Sequence, residues 1–212
     1  MMVNAPILAN KTLAMIVGPT SVGKSTVMRE AVRQDPEFSY VRAFTTRPPR
    51  AGETTTYSHI SHEEAAALQS NGQALTYVVH PTSGVVYGTT VESYTTKYNL
   101  LDTLANSVAA YQSLPFGQTL TISMTAPGNA WEQWFHKRYP VTSDEARQRL
   151  AEAKLSIKWS LQQPGMVWLV NELDDVAGTA ARLIAICRGQ SQGTTSPLYA
   201  ESMLQSIDTL LS

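Results

Sequence analysis

Apolar residues arrive along this chain in two rhythms. Unbroken runs at residues 13–17 and 166–170 are short and fit buried strands, 120–124 reads as a further core strand, and 39–43 as another. Between them, apolar positions three and four apart predict helices over 26–34, 107–113, 131–138 and 174–188. Ser61-His62-Glu63-Glu64 has the form of a capping box, opening a helix that runs to about residue 70 and closes at Asn71-Gly72. A longer helix starts at Thr142-Ser143-Asp144-Glu145 and stops before Pro164-Gly165. Ala146, Leu150, Ala153, Ile157 and Leu161 form its apolar stripe, and Arg147 and Lys154 lie off it as solvated charges. Residues 189–197, rich in Gly, Gln, Ser and Thr, read as a flexible linker. Residues 198–211 are amphipathic, with Met203, Leu204, Ile207, Leu210 and Leu211 on one side, for docking on the chain's own core or on a second subunit; the core is favoured. Strands alternating with helices predict an α/β fold whose parallel sheet is covered on both faces.

The first strand and helix bracket Gly18-Pro19-Thr20-Ser21-Val22-Gly23-Lys24-Ser25-Thr26, which fits G-x-x-x-x-G-K-[S/T] at every fixed position. Gly18 and Gly23 let the backbone curl so that N–H groups point inward, and the helix N-terminus adds partial positive charge. In such a loop Lys24 reaches the β and γ phosphates and Ser25 offers its hydroxyl to Mg²⁺. A chance glycine turn is the competing reading, and the flanking strand and helix argue against it. The loop says nucleotide without saying what the nucleotide is for.

Composition narrows the choice. The chain has 212 residues, 43% of them hydrophobic, enough for one domain with inserts. A net charge of -1 gives no basic stripe for nucleic acid and no basic surface for a membrane, and no apolar run is long enough to span one. The single cysteine, Cys187, excludes an internal disulfide framework and a multi-cysteine metal site, and fits a cytoplasmic compartment. The first residues lack the pattern of a secretory signal. His59, His62, His80 and His136 show no metal-ligand spacing. Cys187 shares a helix face with Leu183 and Ile184 and reads as a core thiol. The four tryptophans read as packing residues, Trp134 being the one to watch.

Downstream of the glycine loop stands Thr45-Thr46-Arg47-Pro48-Pro49-Arg50-Ala51-Gly52-Glu53, two arginines on a proline-stiffened loop. Arginine's planar fork matches a phosphate, although charges on such a turn are more often merely solvated. Together the two segments closely resemble guanylate kinase, a family that transfers the γ-phosphate of ATP to GMP or dGMP. The resemblance continues through Tyr57, Val86-Tyr87-Gly88-Thr89, Leu100-Leu101-Asp102, Thr125-Ala126-Pro127, Arg138, Arg149 and Val170-Asn171-Glu172, and covers roughly residues 13–188. It implies a P-loop NTPase of three layers around a parallel sheet, with an inserted monophosphate-binding region and a lid. The implied division is 1–42 core with the phosphate loop, 43–98 monophosphate-binding region, 99–130 core, 131–148 lid, 149–188 core, and 189–212 linker and C-terminal helix. It implies ATP and Mg²⁺, the ATP held by Gly18, Ser21, Gly23, Lys24, Ser25, Thr26 and Asn171, the metal by Ser25. The acceptor would meet Arg47, Arg50, Tyr57, Thr76, Tyr87, Thr89 and Asp102. Lys24, Arg138 and Arg149 would serve transfer, in a monomer or homodimer. Asp102 has a plainer alternative as a helix cap.

The pattern also breaks. The family reads guanine with a glutamate in a Glu-Phe-[Ile/Leu]-Glu-Trp segment, and here Gln73-Ala74-Leu75-Thr76-Tyr77 puts Thr76 at that position. A carboxylate accepts from guanine N1–H and N2–H₂ together; one hydroxyl cannot replace both. The family's Asp-x-Asp is Asp102-Thr103-Leu104 here, and Trp134 stands where a second lid arginine is expected. Phosphate handling is kept while base reading is eroded. The expected activity is phosphorylation of a (deoxy)nucleoside monophosphate, GMP, dGMP or a related or modified one. The alternatives are a sugar-phosphate kinase like ribose 1,5-bisphosphate phosphokinase and a non-catalytic interaction domain.

Overall fold

A computed structural model of the chain describes residues 5–49, 57–80, 83–140, 143–172, 175–194 and 196–212. After a short helix α1 (Ala5–Leu8), the strands β1 (Thr12–Val17), β2 (Phe38–Tyr40), β7 (Tyr98–Asp102), β8 (Gln118–Thr125) and β9 (Val167–Val170) form one parallel sheet in the order β2-β7-β1-β8-β9. Side-chain alternation along β1 makes this a three-layer fold. Leu13, Met15 and Val17 face a core shared with Leu8, Val108 and Tyr111, the last two on α4 (Val108–Gln112). Ala14 and Ile16 face the other core, with residues of α2 (Lys24–Gln34) and α7 (Val176–Cys187). All six residues of β1 are buried, as a strand covered on both faces requires.

Residues 39–43 are not one strand. β2 ends at Tyr40 and β3 (Ala43–Thr45) belongs to a second sheet. The Val41 N–H still bonds the Leu100 carbonyl at 2.8 Å and its side chain is buried in the core, so the chain leaves the first sheet only at exposed Arg42. The second sheet also holds β4 (Tyr57–His59), β5 (Thr76–Val79) and β6 (Val86–Thr89), ordered β4-β3-β6-β5. Its register separates two faces. Ala43, Thr45, Tyr57, His59, Tyr87, Thr89 and Thr76 share one; Phe44 and Val86 share the other, packed against α3 (His62–Ser70) through Ala65. The capping box at α3 forms in both directions between Ser61 and Glu64.

α5 (Gly128–Arg138) and α6 (Asp144–Leu161) follow β8, and Ala146, Leu150, Ala153 and Ile157 of α6 are buried as the stripe predicts. α8 (Leu198–Leu211) lies on α5 and α6 of its own core, burying Ala200, Met203 and Ile207. Two expectations are corrected here. Lys154 is not a lone solvated charge: its Nζ is 2.6 Å from Asp208 of α8. The segment 189–197 is tied down as well, because Trp168 and Thr194 exchange backbone hydrogen bonds of 2.9 and 3.3 Å at the edge of β9. Cys187 is the buried core thiol expected of it, and burial pushes its pKa up to about 12. Among the described residues no helix is long and apolar enough to cross a membrane.

Candidate active site

The phosphate loop closes between β1 and α2. Lys24 and Ser25 are already in the first turn of α2, two residues earlier than the sequence pattern suggests. Gly23 stands just before the helix at φ 93°, Gly18 at 141° and Ser21 at 63°, a left-handed conformation that a non-glycine residue adopts at a cost. A Cβ on Gly18 would come within 2.5 Å of the Met124 carbonyl oxygen, and one on Gly23 would strike the Asn171 amide.

Side chains hold several of the loop's carbonyl groups. Trp131 donates its indole N–H to the Thr20 oxygen at 2.8 Å, and Asn171 Nδ2 donates to the Val22 oxygen at 2.9 Å. Lys24 Nζ donates to the oxygens of Gly18 at 2.8 Å and Pro19 at 3.2 Å. Peptides fixed this way turn their N–H groups inward, the arrangement that binds anions. The hydroxyl of Ser21 and the Oδ1 of Asn171 are enclosed without a hydrogen-bond partner. Unpaired buried polar atoms of this kind are costly, and a polar ligand would repay them. Donors, left-handed turns and enclosed polar atoms fit a polyphosphate.

Asp102 does not cap the helical turn that follows it. It ends β7, opposite Ile16 of β1, with Oδ1 3.7 Å from Lys24 Nζ. Burial raises its pKa, and the ammonium of Lys24 opposes the rise. Near Asp102 stand Tyr57 and Tyr87 of the second sheet. Tyr57 and Tyr87 meet edge to face with ring centroids 5.8 Å apart, and the Arg47 guanidinium sits over the Tyr57 ring at 5.6 Å. Burial raises the Tyr57 pKa, with the nearby Asp102 charge adding to it, so the two belong to one enclosure. His59 holds the Arg47 carbonyl through Nδ1 at 2.7 Å. Arg50 lies outside the described residues.

Thr76 and Thr89 come together in the interior, not on the cleft wall. Their hydroxyls are 2.9 Å apart, Tyr94 OH donates to Thr89 Oγ1 at 2.8 Å, and Thr89 N–H donates to Thr76 Oγ1 at 3.1 Å. The Tyr111 hydroxyl lies near that of Thr76. With Thr89 0% and Thr76 5% exposed, these hydroxyls satisfy one another. No local pattern marks Tyr94 and Tyr111 as partners, because each arrives from a different element.

Arg149 and Arg138 flank the connection between α5 and α6. Arg149 bridges to Glu152 at 2.8 Å and Glu145 at 3.8 Å, its Nε enclosed and unpaired. Arg138 is exposed and lies over the Tyr139 ring at 5.4 Å. The Tyr139 hydroxyl is 3.3 Å from that of Thr20, so this connection reaches the phosphate loop. Trp134 is partly buried against the core. Ser25 and Thr26 stand in the first turn of α2. No group of three or more His, Cys, Asp or Glu side chains suited to a metal occurs among the described residues. Mg²⁺ commonly keeps its waters and binds through one or two protein oxygens plus substrate phosphates, for which the Ser25 hydroxyl suffices.

No family model matches the chain. Among curated proteins, the guanylate kinase of a Nostoc species is 36% identical over 83 residues, 38% of this chain and 41% of that protein. The chain thus matches about two fifths of that relative's length. Longer matches reach the guanylate kinases of Cutibacterium acnes, 29% identical across 69% of this chain and 76% of that one, and of Frankia casuarinae, 27% across 84% and 97%. In fold, the crystal structure of guanylate kinase from Anaplasma phagocytophilum aligns with a TM-score of 0.56 at 19% identity, covering 89% of this chain and 88% of the other. Over most of its length the chain is similar to guanylate kinases, in sequence and in fold. That likeness spans the phosphate loop and the second sheet together. It leaves the hydroxyl cluster of Thr76, Thr89, Tyr94 and Tyr111 as a feature to be explained from this chain's own residues.

Proposed function

We propose that the protein phosphorylates a nucleoside or deoxynucleoside monophosphate at the expense of MgATP. What supports this reading is the loop of residues 18–25, whose Lys24 lies 3.7 Å from Asp102, with Asp102 in turn near Tyr57, which meets Tyr87 and lies under the Arg47 guanidinium.

The donor polyphosphate lies along the loop's inward N–H groups. Lys24 exchanges its two loop carbonyls for the β and γ phosphates, and Ser25 would hold Mg²⁺, which would supply charge neutralisation for the transferring group. Ser21, Thr26 and Asn171 complete the donor side. Arg47 and Arg50 with Tyr57 and Tyr87 grip the acceptor phosphate. The bond between the γ-phosphorus and its bridging oxygen breaks, leaving ADP, and an acceptor phosphate oxygen forms the new P–O bond. That oxygen is already anionic, so no general base is needed. Arg138 and Arg149 come from the lid side to offset charge on the transferring group, and Asp102 holds Lys24 between turnovers. The closed hydroxyl pairing of Thr76 and Thr89 favours an acceptor whose base is not read by a carboxylate at that position. For the same reason a sugar phosphate is the second reading.

The test is MgATP-dependent ADP release against ribo- and deoxynucleoside monophosphates and ribose 1,5-bisphosphate. Turnover with a monophosphate nucleotide supports the reading. Turnover only with the sugar phosphate replaces it, and absence of both ATP binding and turnover leaves an interaction domain.

A further inference from the structure

The C-terminal helix touches the rest of the chain at an unusual place. α8 meets the corner between β8 and α5, residues 126–128, from which the phosphate loop is held. Ala126 donates its backbone N–H to the thioether of Met203 at 3.2 Å, a weak acceptor for a buried donor at the end of a strand. Two residues on, Gly128 opens α5 so close to α8 that a Cβ there would lie 2.9 Å from Ser202 Oγ and 3.0 Å from Ser206 Oγ. At the far end of α8, the Asp208–Lys154 pair ties it to α6, which carries Arg149.

Three short paths run from this corner to the loop. The Met124 carbonyl presses against Gly18. The Thr125 carbonyl accepts from Asn171 N–H at 2.7 Å, and the Asn171 amide holds the Val22 carbonyl. The Pro127 carbonyl accepts from Trp131 N–H at 3.0 Å, and the Trp131 indole holds the Thr20 carbonyl. These bonds connect the corner to the peptides of Thr20 and Val22 in the phosphate loop.

We propose that α8 is a working part of the donor-nucleotide site, with Met203 as the positioning residue that seats the β8–α5 corner beneath the phosphate loop. The inference rests on the MgATP reading above. The acceptor side, built on the second sheet, has no part in these paths. Coupling is therefore selective: it affects the donor and spares the acceptor.

Met203→Leu keeps the side chain's volume and removes its acceptor, leaving a buried N–H unpaired. Titration with a non-hydrolysable MgATP analogue should give a dissociation constant raised about tenfold over wild type. The acceptor KM at saturating MgATP should stay within about twofold, because uniform loss of folding would move both constants. Unchanged analogue affinity, or equal losses on both sides, overturns the proposal. Coupling is reciprocal, so the wild-type protein tests it without substitution: bound analogue should slow hydrogen exchange of α8 amides. Exchange in α8 that ignores the analogue also overturns it, and decides alone if the variant does not fold. A wild-type protein that binds no analogue refutes the donor-site reading itself and the coupling with it.

Discussion

Arg47 shows what a single side chain contributes at this site. Its backbone is fixed at both ends, the N–H on Thr45 Oγ1 at 3.2 Å and the carbonyl against His59, while its guanidinium lies over Tyr57. Its Nη1 donates to the Pro48 carbonyl at 2.8 Å. On the proposed reading the guanidinium would turn its planar fork to the acceptor phosphate, a geometry lysine cannot imitate. Arg47→Ala should raise the acceptor KM by about one to two orders of magnitude with the KM for ATP unchanged, a split that steady-state kinetics on both substrates will read. Loss of ATP affinity instead would move Arg47 to the donor side. Lys24, Gly18, Gly23 and Arg47 were legible in the sequence because their spacing is local and their chemistry follows from residue type. Thr76 was legible only as a departure. Its enclosure with Tyr94 and Tyr111 depends on a tertiary meeting of β5, β6 and α4, which no local pattern records.

Elements were most readable where periodicity was long. The stripe of α6 and the capping box of α3 emerge as the sequence implied. Two short-range readings failed for identifiable reasons. Residues 39–43 keep a strand-like run because both sheets need extended, apolar backbone, so the switch at Arg42 is invisible to pattern. Residues 189–197 have linker composition, yet two backbone bonds to Trp168 need no particular side chain. The docking of α8 carries a prediction at this scale. Ile207 is fully buried between α8 and the core, and Ile207→Ala should cost about 2–5 kcal/mol of unfolding free energy in a denaturant titration. A loss within about 0.5 kcal/mol, the range for exposed positions, would mean that α8 does not dock in solution.

At the scale of the whole molecule, stability should be sensitive to alkali. The folded protein holds the Cys187 proton up to about 12, against an ordinary value of 9.0, and burial raises Tyr57 and Tyr94 above theirs. A pKa raised by folding stabilises fully below the unfolded value and ceases to do so as pH passes the folded one. Above pH 9 the unfolded chain therefore binds fewer protons than the folded chain. Stability falls by roughly 1.4 kcal/mol per pH unit for each fully shifted group. Denaturation midpoints measured between pH 8 and 11 should decline progressively, and Cys187→Ala should shallow the decline from pH 9 onward. A flat profile would mean that the thiol is accessible. The likeness to guanylate kinases and the parallel sheet were readable in the chain, whereas the support of the phosphate loop by Trp131, Asn171 and α8 was not. Those contacts join residues more than a hundred positions apart in two of three cases, Trp131 to Thr20 and Asn171 to Val22.

Phosphoryl transfer itself is tested most directly by following the γ-phosphate of labelled ATP in the presence of Mg²⁺ and nucleoside monophosphates, with wild-type protein and Lys24→Ala side by side. Label should pass to a nucleoside diphosphate with the wild type. It should slow by about three orders of magnitude or more in the variant, since positioning and charge neutralisation supply nearly all of the catalysis. Transfer by Lys24→Ala at the wild-type rate, or no labelled diphosphate from the wild type with any monophosphate, would contradict the kinase reading.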